Sequence, residues 1–348
     1  MLKDYQKSAL DIVRKNAQLR MAEPRKYLEQ CCQPFGIDAA YVLNRVLQSP
    51  VTINFHPDRL SNNGKTVMQN LLEEGIYESQ FRTGTSNGGK TAFIGGDRFL
   101  WEQRMFHHAY PQESLDRPKY GALNIFRYID GASVRFGSCY FVLKPEVTKR
   151  CTFSYGDSSI NPDIICTDDT FWGVAAALLQ DVDHHTRLLN QAVSSQQEAL
   201  AILLNPSNES KTVGRNLDFC IETHIHGDIS LQRDVQSFYL DRSFQETVFE
   251  RQAETLCSKY GIELKWIPER RVQVNELGTL FRGPLIPILA KRIDEKLGSH
   301  QGILNAYLIG LASQDSQQHP QDWKDIGNEE EMFQYLKQLW HTVGYFGI

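Results

Sequence analysis

The feature that most constrains this chain is where its hydrophobic period changes. Residues 1–47 carry apolar positions such as Leu10, Val13 and Ala17 at helical spacing, interrupted by Pro24 and Pro34. From Val51 the pattern shortens to strand-length aromatic and β-branched runs: VTINF (51–55), YESQF (77–81), YGALNIF (120–126) and GSCYFVL (137–143). Two helical stretches, GKTVMQNLLEEG (64–75) and DRFLWEQRMFHHAY (97–110), interrupt them, the second with Asp97 as its expected N-cap. Residues 171–204 are helical in pattern, NPSNESKTVGRN (205–216) is a loop by composition, and LDFCIETHI (217–225) is a further strand, with a helix after Ser230. Residues 241–348 are mainly helical. Strands enclosed by helices, rather than alternating with them regularly, predict an α+β fold with helical N- and C-terminal additions. The boundaries implied are a helical brace at 1–50, a core at 51–240 with a helical insertion near 171–210, and a helical region at 241–348.

Composition narrows the function classes. A chain of 348 residues with 41% hydrophobic and 23% charged content can bury a substantial core. A net charge of -5 supplies no global field for nucleic acid, so nucleic acid is not an expected partner. The longest apolar runs fall far below the ~20 residues needed to span a bilayer, so no membrane association is expected. The N-terminus lacks the features of a cleavable signal peptide. Seven cysteines without C-x-x-C spacing point to reduced thiols and a cytoplasmic setting.

The segment Cys220-Ile221-Glu222-Thr223-His224-Ile225-His226 carries the clearest chemistry. Strand alternation puts Glu222, His224 and His226 on one face and Ile221, Thr223 and Ile225 on the other. Three ionisable groups in a row are costly to bury unpaired, so they are expected to line a cleft rather than a core. A solvent-facing edge strand is the plainer alternative. His224 and His226 also have the H-x-H spacing of a strand-borne metal pair, which keeps a metal-dependent hydrolase open, although further ligands are wanting. The adjacent pairs at 107–108 and 184–185 fall in helical pattern and would diverge by about 100°. In the other chemical reading, Glu222 stabilises a developing sugar cation while the histidines orient it or the substrate.

Other segments gather polar groups near strand ends, where rigid scaffolds present functional loops. Phe81-Arg82-Thr83-Gly84-Thr85-Ser86-Asn87-Gly88-Gly89 is rich in hydroxyls and glycine and suits an anion-binding turn, although it matches no phosphate-loop spacing. His56 and Arg59, in NFHPDR, offer a donor and a cation. Arg117 and Tyr120, in RPKYG, suit stacking on a base or fixing a carboxylate. FSYGDSS (153–159) adds hydroxyls and a carboxylate.

The segments NFHPDR (54–59), FRTGTSNGG (81–89), GGDRFLWE (95–102), RPKYGALN (117–124), RFGSCYFVL (135–143), FSYGDSS (153–159) and IETHIHGDISL (221–231) together resemble domain-of-unknown-function family 3626, from about residue 10 to 310. That family in turn looks like a remote branch of the diphtheria-toxin-like ADP-ribosyltransferases. The resemblance implies a split, mainly antiparallel β-sheet around an NAD cleft, with NAD as substrate and a protein acceptor. It implies an ADP-ribosyltransferase acting in the cytoplasm, or as a bacterial effector or toxin delivered to a target cell. On it, His56 or Arg59 supports the NAD phosphates or ribose, and Thr83, Thr85 and Ser86 form the hydroxyl motif. Asn87, Gly88, Arg117 and Tyr120 complete the binding set. Glu222 becomes the catalytic glutamate, joined by His224 and His226. Cys220 stands where many such transferases have Gln or Glu, and the paired histidines are outside that superfamily's pattern. A catalytically silent ligand-binding module with the same fold is the remaining alternative.

Overall fold

The computed structural model describes residues 2–84, 91–206, 213–215 and 217–348. Among them, β1 (Val51–Phe55), β2 (Lys119–Leu123), β3 (Cys139–Leu143), β4 (Cys151–Tyr155), β5 (Ile165–Thr167), β6 (Ile221–Ile225), β7 (Val235–Asp241) and β8 (Glu263–Ile267) form a single sheet. Its order is β8-β7-β3-β1-β2-β6-β4-β5. Every pairing is antiparallel except β7 with β8. The fold is α+β, with helices at both ends of the chain.

Register gives the sheet two chemically different faces, because directly opposed residues share a side. Tyr120 opposes His224 and Ala122 opposes Glu222 across β2–β6, while Thr152 and Ser154 oppose the same two residues across β4–β6. Thr52 joins this polar face through Ala122, and Asn54 lies two residues further along β1. The other face carries Ile53, Phe141, Phe153, Ile225 and Phe238, all fully buried. It packs into a core that reaches α3 (Ala39–Leu47), α4 (Val67–Glu74), α6 (Trp172–His185), α7 (Gln196–Leu204) and α8 (Val248–Tyr260). α6 and α7 are the helical segment expected between strands at 171–204, with a short hairpin between them.

Local chemistry explains the helix boundaries. α4 starts at Val67 because Thr66 and Gln69 form a reciprocal capping box, and it ends where Gly75 turns left-handed at φ 67°. In α5 (Asp97–Met105) the N-cap is Gly96, so Asp97 is the first helical residue rather than the expected cap. Its charge there still complements the helix dipole. The strand expected over 77–81 is instead a two-residue strand, Ile76–Tyr77, followed by a helical turn at Gln80–Thr83. Its aromatic pattern resembles a strand, but the Ser79 hydroxyl is held by the Leu115 carbonyl, and Gly84 closes the turn at φ 64°.

The helical brace expected at 1–50 divides among three places. α3 leads into β1, α1 (Asp4–Leu19) packs along β5, at one edge of the sheet, and α2 (Ala22–Cys32) packs on α6. The C-terminal helices α9 (Leu285–Leu297), α10 (Ala306–Gln318) and α11 (Glu329–Phe346) bury Trp340, whose ring meets His56 edge-on at 5.0 Å and whose indole donates to the Val134 carbonyl. Among the described residues, no helix is long and apolar enough to cross a membrane.

Candidate active site around Glu222

β6 lies inside the sheet between β2 and β4, which removes the edge-strand alternative. Glu222, His224 and His226 do share a face, but they do not share an environment. Glu222 lines a cleft of about 240 Å³, whereas neither histidine lines it and both are fully buried. The roof over the histidines comes from residues that follow α5: Phe106 approaches both rings edge-on, and Tyr110 stacks on His226. Tyr5 of α1 supports Tyr110 at 5.5 Å. A cleft lined by all three groups, as strand alternation alone suggested, is therefore replaced by one carboxylate at the surface of a buried polar chain.

That chain is continuous. The Tyr110 hydroxyl lies 2.6 Å from His226 Nδ1, His226 Nε2 lies 3.2 Å from Thr152 Oγ1, and Thr152 Oγ1 lies 3.0 Å from His224 Nδ1. His224 Nε2 lies 3.0 Å from Glu222 Oε2, which also accepts the Ser158 backbone N–H at 2.9 Å. With Glu222 ionised and both imidazoles neutral, each proton position follows from the one before. His224 donates through Nε2, so its Nδ1 accepts from Thr152, Thr152 accepts from His226 Nε2, and His226 Nδ1 accepts from Tyr110. Burial, reinforced by His224, Lys119 and Arg150, holds the His226 pKa well below its ordinary value, and burial raises that of Tyr110, so a neutral imidazole beside a protonated phenol is favoured. Both ring nitrogens of His224 and both of His226 are thereby satisfied, which removes the penalty that three ionisable groups on one strand would otherwise incur.

The same contacts bear on metal binding. Both nitrogens of His224 and both of His226 already have partners, leaving no lone pair for an ion without dismantling the chain. His107 and His108 sit just past α5 at positive φ, rather than in a helix, and His184 and His185 are the last residues of α6. No group of three or more potential ligands converges among the described residues.

Around Glu222 the cleft is walled by Tyr77, Trp101, Tyr120 and Phe136, with Asn54, Asp157 and Ser159 nearby. Tyr120 donates to Glu102 Oε1 at 2.8 Å and meets His224 edge-on. FSYGDSS therefore reaches the carboxylate directly: Ser158 binds it, and Asp157 caps the turn that presents Ser158. Among the described residues only Glu222 Oε2 receives hydrogen bonds, leaving Oε1 for whatever enters the cleft.

A family model described as "Protein of unknown function (DUF3626)" matches residues 50–346. The chain belongs to the DUF3626 family. The match starts at the residue before β1 and continues to the end of α11, so it begins and ends later than the span of about 10 to 310 expected from the motifs. The DUF3626 chain is also 33% identical, over 98 residues, to the "Gene 2 protein" of Mycobacterium phage D29; the aligned segment is 28% of this chain and 35% of the phage protein. The chain thus spans about a third of that relative's length.

Within this DUF3626 chain the other candidate residues divide by location. Tyr120 lines the Glu222 cleft. Arg117 does not: it is fully buried, paired with Glu102 at 3.0 Å and lying against the Phe81 and Phe99 rings, so it supports the site from within instead of meeting a ligand. His56 and Arg59 line a small separate depression against the C-terminal helices, beside Trp340. Thr83 lines a neighbouring cavity of about 200 Å³ that shares Tyr77, Glu78 and Gln80 with the cleft. Thr85, Ser86, Asn87 and Gly88 lie outside the described residues. Arg98 and Trp101, both in GGDRFLWE, were not singled out from sequence, yet both line the cleft. Their i, i+3 spacing on a helix was the available signal.

Proposed function

We propose that this protein cleaves the nicotinamide–ribose bond of NAD and transfers ADP-ribose to an acceptor, with Glu222 as the catalytic carboxylate. The observation that supports this reading is the Glu222 carboxylate itself. It is fixed through Oε2 by Ser158 and His224, its Oε1 is unengaged among the described residues, and it stands in an aromatic-walled cleft. A carboxylate held this way needs no reorganisation as positive charge develops on the sugar, which is how preorganised electrostatics lowers a barrier. In the proposed step the C–N bond breaks, its electron pair leaves with neutral nicotinamide, and C1′ gains oxocarbenium character. An acceptor heteroatom then bonds to C1′ and gives up its proton. Adjacent strands β1, β2 and β6 present Asn54, Tyr120 and Glu222 to the same cleft, so Tyr120 takes the hydroxyl-bearing place in this reading. At about 240 Å³ the cleft is below the ~300–1,000 Å³ that usually encloses a drug-sized ligand, so it would bury one end of a dinucleotide.

The acceptor is proposed to be a protein, and action in a target cell as an effector belongs to the same proposal. The test is nicotinamide release from NAD by wild-type protein and by Glu222→Gln, with folding checked by circular dichroism. Release that falls about 100-fold or more in the variant supports the assignment, on the scale of losing one preorganised electrostatic group. Equal release from both proteins, or no NAD binding to folded wild type, overturns it.

A further inference from the structure

The cleft contains a second chemical feature that Glu222 does not use. Arg98 is only 8% exposed, yet among the described residues its Nε and Nη1 are buried without a hydrogen-bond partner. One turn along the same face of α5, the Trp101 indole Nε1 is also buried and unpartnered among the described residues. Both residues line the Glu222 cleft. The Arg98 guanidinium lies 4.1 Å from the centre of the Tyr120 ring and 5.2 Å from that of Trp101, so two aromatic rings hold it in place without satisfying its N–H groups. Buried donors left unpaired are costly, and a cluster of them at a ligand cleft is most simply read as donors kept for a ligand.

The charges around the cleft indicate what that ligand carries. Arg135 is paired with Asp218 at 3.1 Å and lies 3.9 Å from Asp157, while buried Lys119 donates to the Gly227 carbonyl. Arg98 has no carboxylate within ion-pair distance among the described residues. Glu102, on which both Arg98 and Arg117 act electrostatically, is hydrogen-bonded to Arg117 and Tyr120, so two guanidinium groups share one carboxylate. Glu78, Asp97, Asp157 and Glu222 also line the cleft, and Asp97 is exposed to solvent. An anion is therefore favoured beside Arg98 and Trp101 and disfavoured near Glu222. Because the unpartnered groups lie on two different atoms of the guanidinium as well as on the indole, an acceptor with several oxygens suits them better than a single carbonyl.

We infer that Arg98 and Trp101 form an oxyanion subsite for a phosphate-bearing ligand within the Glu222 cleft. This deepens the function proposed above by naming a phosphorylated substrate class, and it rests on that reading only in taking the Glu222 cleft as the ligand site. Titration calorimetry with inorganic pyrophosphate on wild type, Arg98→Gln, Arg98→Lys and Trp101→Phe tests it. Wild type is expected to bind, Arg98→Gln to weaken binding at least tenfold, and Trp101→Phe to weaken it several-fold while leaving the cation in place. Arg98→Lys, which keeps the charge with fewer donors, is expected to fall between them and guards against a glutamine variant that fails to fold. No pyrophosphate binding to folded wild type, or equal affinity in all folded variants, overturns the subsite. Pyrophosphate binding that depends on Arg98, without any nicotinamide release from NAD, retains the subsite and sinks the NAD reading. Nicotinamide release at an unchanged NAD KM in Arg98→Gln retains the NAD reading and sinks the subsite.

Discussion

Replacing Thr152 by valine tests the buried chain behind Glu222 without touching the cleft. Thr152 is fully buried on β4, and its single hydroxyl serves two rings, accepting from His226 Nε2 and donating to His224 Nδ1. Valine preserves the branched shape and strands both nitrogens. A buried polar group that loses its partner costs about 1–3 kcal/mol, so two of them, less the desolvation of the hydroxyl that is no longer paid, come to about 3 kcal/mol. Thr152→Ser retains the hydroxyl and loses one methyl, for about 1 kcal/mol. At an unfolding entropy near 2.1 cal/mol/K per residue, a chain of this length shifts by about 4 °C for 3 kcal/mol. Urea titrations followed by tryptophan fluorescence, with thermal melts alongside, should place the variants in the order wild type, Ser, Val. A valine variant as stable as the serine variant would refute the chain as a satisfied network.

Two further substitutions probe buried charge elsewhere. Arg117→Met should destabilise the protein by about 3–5 kcal/mol in urea unfolding, because it leaves Glu102 buried with its main partner gone, and Arg117→Met combined with Glu102→Leu should recover much of that loss. An additive double variant would contradict the coupling. His341→Phe should stabilise at neutral pH, since among the described residues both ring nitrogens of His341 are buried without partners. Burial, then Arg282, Arg135 and Lys337, push the His341 pKa down to about 2. The unfolded chain therefore takes up a proton below about pH 6.5 that the native state refuses, and wild type loses stability as pH falls through that value. The advantage of the phenylalanine variant should widen by about 1.4 kcal/mol per pH unit from pH 6.5 downward, and a difference that stays flat to pH 5 would show that His341 is not held neutral.

The parts of the site that were legible in the sequence are those set by neighbouring residues. Period-two alternation puts Glu222, His224 and His226 on one face whatever the rest of the chain does, and β6 obeys it. The same local logic failed at YESQF, where aromatic content resembles a strand but Ser79 and Gly84 set a turn. It also could not separate two arginines in similar surroundings. Arg117 and Arg98 each sit close to aromatic residues in sequence, yet one is paired inside the fold and the other lines the cleft with Nε and Nη1 buried and unpaired among the described residues.

By itself, the sequence determined the α+β class, the helical ends, the positions of β1, β2, β3 and β6 and the face on which Glu222 stands, because periodicity and capping act over a few residues. Tertiary structure alone decided that the two histidines lie under a roof and that only the carboxylate reaches the cleft. It also decided that FSYGDSS supplies the backbone N–H that fixes that carboxylate. Tyr110 meets His226 across 116 positions of chain, and Ser158 meets Glu222 across 64. Which group a buried donor satisfies depends on such distant segments being brought together, and no local pattern encodes it.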